Sequence, residues 1–140
     1  MYLVILSNAT LNVRIELMIV LGIESSCDET AAAVVKDGNE LLSNAVFSSM
    51  DLHAVYGGVV PEIAARSHIE SIIPVIELAL EQAFPAMSTD YQWAQIDAIA
   101  VTYGAGLGGS LLVGVMTART LSITKNKSLF AINHVEAHVY

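Results

Sequence analysis

Ile96-Asp-Ala-Ile-Ala-Val-Thr-Tyr-Gly-Ala-Gly-Leu-Gly-Gly-Ser-Leu-Leu-Val-Gly-Val-Met-Thr-Ala-Arg-Thr-Leu121 decides the fold. Ile96 to Val101 is an apolar run of about strand length, rich in Ile and Val. It breaks into the glycine loop Thr102 to Gly109 and resumes as a helix from Ser110, a candidate N-cap. Leu111, Val115 and Ala118 recur there at helical spacing. Strand, glycine loop and helix together present free backbone N–H groups and a helix N-terminus to a phosphate. Gly104, Gly106 and Gly109 are therefore the candidate nucleotide-binding positions. Leu129 to Asn133 is a second strand, and His134-Val-Glu-Ala-His138 follows it. Two histidines at i and i+4 share a face if a helix begins at His134, the spacing a metal pair needs.

Rival readings of this region are weaker. Gly104, Gly106 and Gly109 satisfy G-x-G-x-x-G, but the dinucleotide fingerprint also wants an acid near the end of the next strand. Leu129 to Asn133 contains none. Residues 98–118 carry no charge, yet the glycines spread through them argue for a loop and a buried helix over a membrane span. The histidines do not form H-E-x-x-H, because Glu136 sits two places after His134, so a zincin protease is disfavoured. A lone H-x-x-x-H would more simply cap a helix.

The chain has 140 residues, 54% of them apolar and 14% charged, which excludes disorder and suits one domain with a real core. A net charge of −8 leaves no basic footprint, so any nucleic-acid contact must come mostly from elsewhere. The single cysteine, Cys27, excludes an internal disulfide framework and suits a reducing, cytoplasmic compartment. Met1 to Leu6 is too short for a signal sequence, and the sequon at Asn8 reads as chance.

Residues 1–17 read as an N-terminal extension with Met18 as a candidate natural start, and 18–140 as the domain. Ile19 to Ile23 is a strand, Glu24 to Glu29 a polar tip, and Thr30 to Val35 a second strand. Lys36-Asp-Gly-Asn39 is a turn, and Glu40 to Ser48 a third strand, which makes an antiparallel meander. His53 to Gly58 reads as a loop. Pro61 to Ala83 reads as a long helix with Ile63, Ile69, Ile73, Ile76 and Leu80 on one side, kinked or split by Pro74. Phe84 to Gln95 reads as a linker. The order β-β-β-α-β-α-β-α describes one half of an α/β fold of the actin, Hsp70 and sugar-kinase type, which is ribonuclease H-like. In that fold two halves enclose a nucleotide, and both the tip and the glycine loop point into the cleft.

Four motifs now carry a resemblance. Gly22-Ile-Glu-Ser-Ser-Cys-Asp-Glu-Thr30, Leu52-His-Ala-Val-Tyr-Gly-Gly-Val-Val-Pro-Glu62, Gly104-Ala-Gly-Leu-Gly-Gly-Ser-Leu-Leu-Val-Gly114 and His134-Val-Glu-Ala-His138 occur in that order. Together, over Met18 to Tyr140, they resemble the TsaD family of tRNA threonylcarbamoyladenosine transferases, once described as glycoproteases. The resemblance implies transfer of a threonylcarbamoyl group from threonylcarbamoyl-adenylate to the adenosine beside the tRNA anticodon. It implies one divalent metal, iron(II) in preference to zinc, held by His134 and His138 and by an aspartate from a second half. It implies TsaB-like and TsaE-like partner proteins and no membrane. Asp28 and Glu29, at the tip, are placed to orient the incoming amine or a water, with Asp28 the candidate catalytic residue; their alternative is a solvated turn.

Two positions depart from the family pattern: Ala105 stands where proline is usual, and Asn133 where a further histidine or similar residue is usual. Neither removes a metal ligand. The chain ends at Tyr140, so it reads as a fragment whose second half is missing and which is inactive alone. A non-catalytic TsaB-like partner is the alternative. Retention of both histidines and of the Ser26 to Thr30 motif favours the enzyme lineage.

Overall fold

The computed structural model describes residues 18–139; the expected extension at 1–17 lies outside them. The elements are β1 (Ile19–Glu24), β2 (Glu29–Lys36), β3 (Glu40–Ser48), α1 (Met50–His53), α2 (Pro61–Ala83), α3 (Thr89–Gln95), β4 (Ala98–Gly104), α4 (Gly108–Lys125), β5 (Ser128–Asn133) and α5 (His134–Ala137). The strands form one sheet in the order β3-β2-β1-β4-β5. The first three pair antiparallel, as the sequence predicts, while β4 pairs parallel to β1 and β5 parallel to β4. Asp37 and Gly38 close the β2–β3 hairpin with φ of 54° and 73°, and Asn39 N–H donates to Lys36 C=O at 3.2 Å. Two consecutive left-handed residues match the right-handed twist of the strands they join. This mixed α/β sheet is the half-fold expected from the sequence.

Register decides which side chains meet the helices. Leu21 stands beside Val34 on one side and Ile99 on the other, and Ile23 beside Ala32 and Val101. All six are buried in the core under α2 and α4, with Ile72, Val75, Ile76 and Leu80 above them. Each large aliphatic side chain buried this way contributes about 1.5–3 kcal/mol. The opposite face carries Val20, Gly22 and Glu24 on β1 beside Ala98 and Ala100 on β4.

Several elements differ from the sequence expectation. The buried stripe of α2 is Ala64, Ser67, His68, Ser71, Ile72, Val75, Ile76, Ala79 and Leu80, whereas Ile69 and Ile73 are exposed. Ile76 and Leu80 were placed correctly. The N-terminal half of the stripe is polar because Ser71 and His68 find partners on Thr30, so their burial leaves no hydrogen bond unmade. Pro74 neither ends nor divides α2. It lies on the exposed side, where water can serve the carbonyl that its missing N–H abandons. The expected linker contains α3, which buries Trp93 and Gln92. Gln92 Nε2 donates to Phe84 C=O at 3.3 Å, so a linker-like composition conceals a packed turn of helix. The expected loop at His53–Gly58 instead begins with the last residue of α1 and a 3-10 turn, Ala54–Tyr56, and His53 is buried. Ser110 is not the cap of α4, whose N-cap is Leu107; it lies inside the helix, buried with Gly114 and Ala118.

Candidate metal centre

Strands β1, β4 and β5 run parallel, so their carboxyl ends lie along one edge of the sheet, where open α/β sheets bind ligands. Gly22 pairs with Ala100, which brings Glu24 and Thr102, two residues further on, to the same edge and face. Thr102 Oγ1 donates to Glu24 Oε2 at 2.5 Å, and Ser26 N–H donates to Glu24 Oε1. One strand further, β5 ends at Asn133, whose Oδ1 accepts from Val135 N–H at 2.9 Å and Glu136 N–H at 3.2 Å. Asn133 therefore caps α5 and starts it at His134. The cap is the asparagine, so neither histidine is needed for that task.

His134 and His138 sit one helical turn apart, with their Nε2 atoms 3.2 Å from each other. Two nitrogens held about 2.0–2.1 Å from one ion stand about 2.8–3.4 Å apart at cis-octahedral to tetrahedral angles. The pair thus fits a single divalent ion. His134 Nδ1 lies 3.3 Å from Glu24 Oε2 and 3.2 Å from Ser26 Oγ. A carboxylate only accepts, so Nδ1–H donates to Glu24, and Nε2 is the nitrogen turned toward His138. Among the described residues no third histidine, cysteine, aspartate or glutamate completes a cluster with them. Burial alone would push the Glu24 carboxyl up, but hydrogen bonds from Ser26, Thr102 and His134 outweigh it and hold it below the usual carboxylate range.

The tip between β1 and β2 is clamped by its carbonyls. Ser26 C=O accepts from Leu107 N–H at 2.7 Å, and Cys27 C=O from His68 Nε2 at 3.0 Å and Ser110 Oγ at 3.3 Å. Asp28 C=O accepts from Ser49 N–H at 3.0 Å and Ser49 Oγ at 2.7 Å, and His53 Nε2 stands 3.1 Å from the same hydroxyl. The Asp28 carboxylate, half-buried, is thereby carried on an anchored loop. Partial burial and the adjacent Asp28 carboxylate push the Cys27 thiol up, away from thiolate.

The four glycines of the loop differ in what surrounds them. A Cβ on Gly106 would lie 2.5 Å from Ser26 C=O, so this glycine admits the tip. Its close approach is to protein backbone, and its φ is not among the positive ones. A Cβ on Gly109 would lie 3.3 Å from the Ala65 Cβ, which marks the approach of α4 to α2. At Gly104 and Gly108 the corresponding space is open.

Comparison with known proteins decides the family. A sequence model of TsaD, tRNA N6-adenosine threonylcarbamoyltransferase, matches residues 40–140. The chain belongs to the TsaD family. A TsaD of Thermomicrobium roseum is 58% identical over 123 residues, which cover 88% of this chain and 32% of that protein. One from Protochlamydia amoebophila is 56% identical over 88% of this chain and 34% of its own length. The chain thus spans about a third of the length of the curated relatives it matches. Among solved structures, YeaZ from Pseudomonas aeruginosa superposes with a TM-score of 0.57 at 16% identity, covering 83% of this chain and 43% of that one. At that identity the likeness speaks for the fold alone. The TsaD relatives are by name transferases acting on tRNA adenosine. No helix among the described residues is long and apolar enough to cross a membrane.

The structure brings His134 and His138 together, sets the glycine loop against the tip, and holds Asp28 on that tip. Sequence reasoning missed Glu24 and Thr102, which link the tip to the histidines. The available signal was a polar residue at the carboxyl end of each otherwise apolar parallel strand.

Proposed function

We propose that this chain supplies the metal-binding and phosphate-facing wall of a tRNA N6-adenosine threonylcarbamoyltransferase site. The observation that supports it is the convergence of two imidazole Nε2 atoms, 3.2 Å apart, at the carboxyl ends of parallel strands. His134 and His138 would hold one divalent ion, iron(II) in preference to zinc, with its remaining positions filled by groups outside the described residues. When bound, that ion supplies Lewis-acid polarisation to a carbonyl or phosphoryl oxygen. The space a side chain would take at Gly104 and Gly108 is open, which leaves room for the phosphate of threonylcarbamoyl-adenylate near the N-terminus of α4. Gly106 and Gly109 serve the same loop by letting the tip and α2 approach it. Asp28 orients the attacking amine or a water. The net charge of −8 assigns most tRNA contact to other surfaces, in keeping with TsaB-like and TsaE-like partner proteins in a cytoplasmic assembly.

A chimera tests the reading. Residues 18–139 replace the corresponding third of the Thermomicrobium roseum relative, and tRNA is assayed for threonylcarbamoyladenosine with threonylcarbamoyl-adenylate supplied. The chimera should modify tRNA and carry about one metal ion per chain. His134→Ala and His138→Ala should each lose both properties. Equal metal content in all three proteins would overturn the ligand assignment, and a metal-loaded chimera that leaves tRNA unmodified would overturn the transferase reading.

A further inference from the structure

Glu24 is a carboxylate buried at 5% exposure in the last position of a core strand. Such a group is costly unless each of its oxygens is served. Oε1 accepts from Ser26 N–H; Oε2 accepts from Thr102 Oγ1 at 2.5 Å and faces His134 Nδ1 at 3.3 Å. Its donors come from the tip, from the end of β4 and from the start of α5. Neither oxygen faces open solvent chemistry, and no step of the transfer described above uses this residue. Its geometry has another consequence: it stands behind the ring of His134, on the nitrogen away from His138, where Ser26 Oγ also lies, 3.2 Å from Nδ1, and Glu24 is the one of the two that can only accept.

We propose that Glu24 is the positioning residue of the histidine pair. Its carboxylate, anchored by Ser26 and Thr102, accepts the Nδ1–H of His134 and so aims a bare Nε2 at the ion. This rests on reading His134 and His138 as metal ligands. A ligating imidazole needs its ring orientation and tautomer fixed by a partner on its other nitrogen, and loss of such a partner costs about 10–100-fold in metal affinity. Thr102 acts one step further back, by preventing the carboxylate from rotating away. A glutamine at position 24 cannot substitute. Its single oxygen can serve either Ser26 or the Thr102–His134 side, and its NH2 then opposes a donor at the other.

The test uses the intact protein, with cobalt(II) as a visible-absorption probe and 15N-imidazole NMR of the metal-free state. Wild type should show His134 protonated at Nδ1. Glu24→Gln should mix or reverse that tautomer and weaken cobalt binding about 10–100-fold. Thr102→Val should shift both readouts in the same direction by less, and Thr102→Ser should restore them; this pair decides the matter if Glu24→Gln does not fold. Unchanged cobalt affinity and an unchanged tautomer in the folded Glu24→Gln and Thr102→Val proteins would overturn the proposal while leaving the ligand assignment intact. His134→Ala and His138→Ala binding cobalt as wild type does would instead overturn the ligand assignment, and the proposal with it.

Discussion

The Cys27 thiol is exposed on the tip, yet partial burial and the Asp28 carboxylate beside it raise its pKa above the ordinary thiol value. A raised pKa means less thiolate at any pH below it, and the thiolate is the nucleophile. Alkylation by iodoacetamide at pH 8 should therefore run slower at Cys27 than for free cysteine, and it should accelerate only as pH climbs past the free-thiol range. Asp28→Asn removes the adjacent negative charge and should speed the reaction at pH 8; an unchanged rate would dissociate the two side chains. At this scale the sequence was legible where a motif names its own chemistry. His134 and His138 announce themselves by spacing, and the structure brings their Nε2 atoms together. Glu24 was silent because its role depends on the β1–β4 register, which no local pattern encodes. His53 and His68 were silent for the same reason: each is buried and hydrogen-bonded across tens of residues of chain, or to a hydroxyl that is itself so bonded.

Between elements, the contact that shapes the site is α4 pressed against the tip. A Cβ on Gly114 would collide with Ser25 Oγ, the hydroxyl that donates to Ser110 C=O at 2.8 Å. A Cβ on Gly106 would collide with the Ser26 backbone instead. The two glycines should consequently respond differently to rescue. Gly114→Ala should destabilise the protein by about 1–3 kcal/mol through overpacking. In a Ser25→Ala background the clash with Oγ is removed and only the Cβ of residue 25, 3.3 Å away, remains, so the same change should cost clearly less, offset by up to about 1 kcal/mol, the helix preference for alanine over glycine. Gly106→Ala should destabilise in either background, because backbone cannot be truncated. Denaturant unfolding of the six proteins of this cycle checks it, and equal cost for Gly114→Ala with and without Ser25 Oγ would refute the clash. On α2, Pro74 is exposed and interior to the helix, so Pro74→Ala should stabilise by about 1–3 kcal/mol. Element types were legible wherever hydrophobic period or turn chemistry was strong, as in the Asp37-Gly38 hairpin. The face of α2 was misread because hydropathy ranks Ile69 and Ile73 above Ser67, His68 and Ser71, while hydrogen-bond partners on Thr30 and Cys27 let the polar set bury. The helix at Thr89–Gln95 escaped notice because its seven residues are too few to show a period.

Across the whole molecule, charge and apolar surface oppose each other. The formal charge of −8 keeps copies apart, but only while it is unscreened. Strand β5 stands at the edge of the sheet, reads Ser128-Leu-Phe-Ala-Ile-Asn133 without a charge, and leaves Leu129 and Phe130 partly exposed. Leu112, Met116 and Ile123 are exposed on α4, and Val135 and Val139 at the end of the described chain. An uncharged, apolar edge strand offers unpaired backbone groups to another copy, and natural sheets blunt such edges with lysine. The protein should therefore self-associate, and more strongly at high salt, where repulsion between like-charged copies is screened. Ser128→Lys and Ala131→Lys place charge at exposed edge positions without removing a core side chain. The double variant should stay monomeric at salt concentrations that associate wild type, bind less hydrophobic dye, and unfold at the same temperature within about 0.5 kcal/mol of stability. Sedimentation velocity across a salt series reads the outcome. Association that weakens with salt would assign it to charge pairing and not to this edge, and association unchanged by the two lysines would move it to another surface.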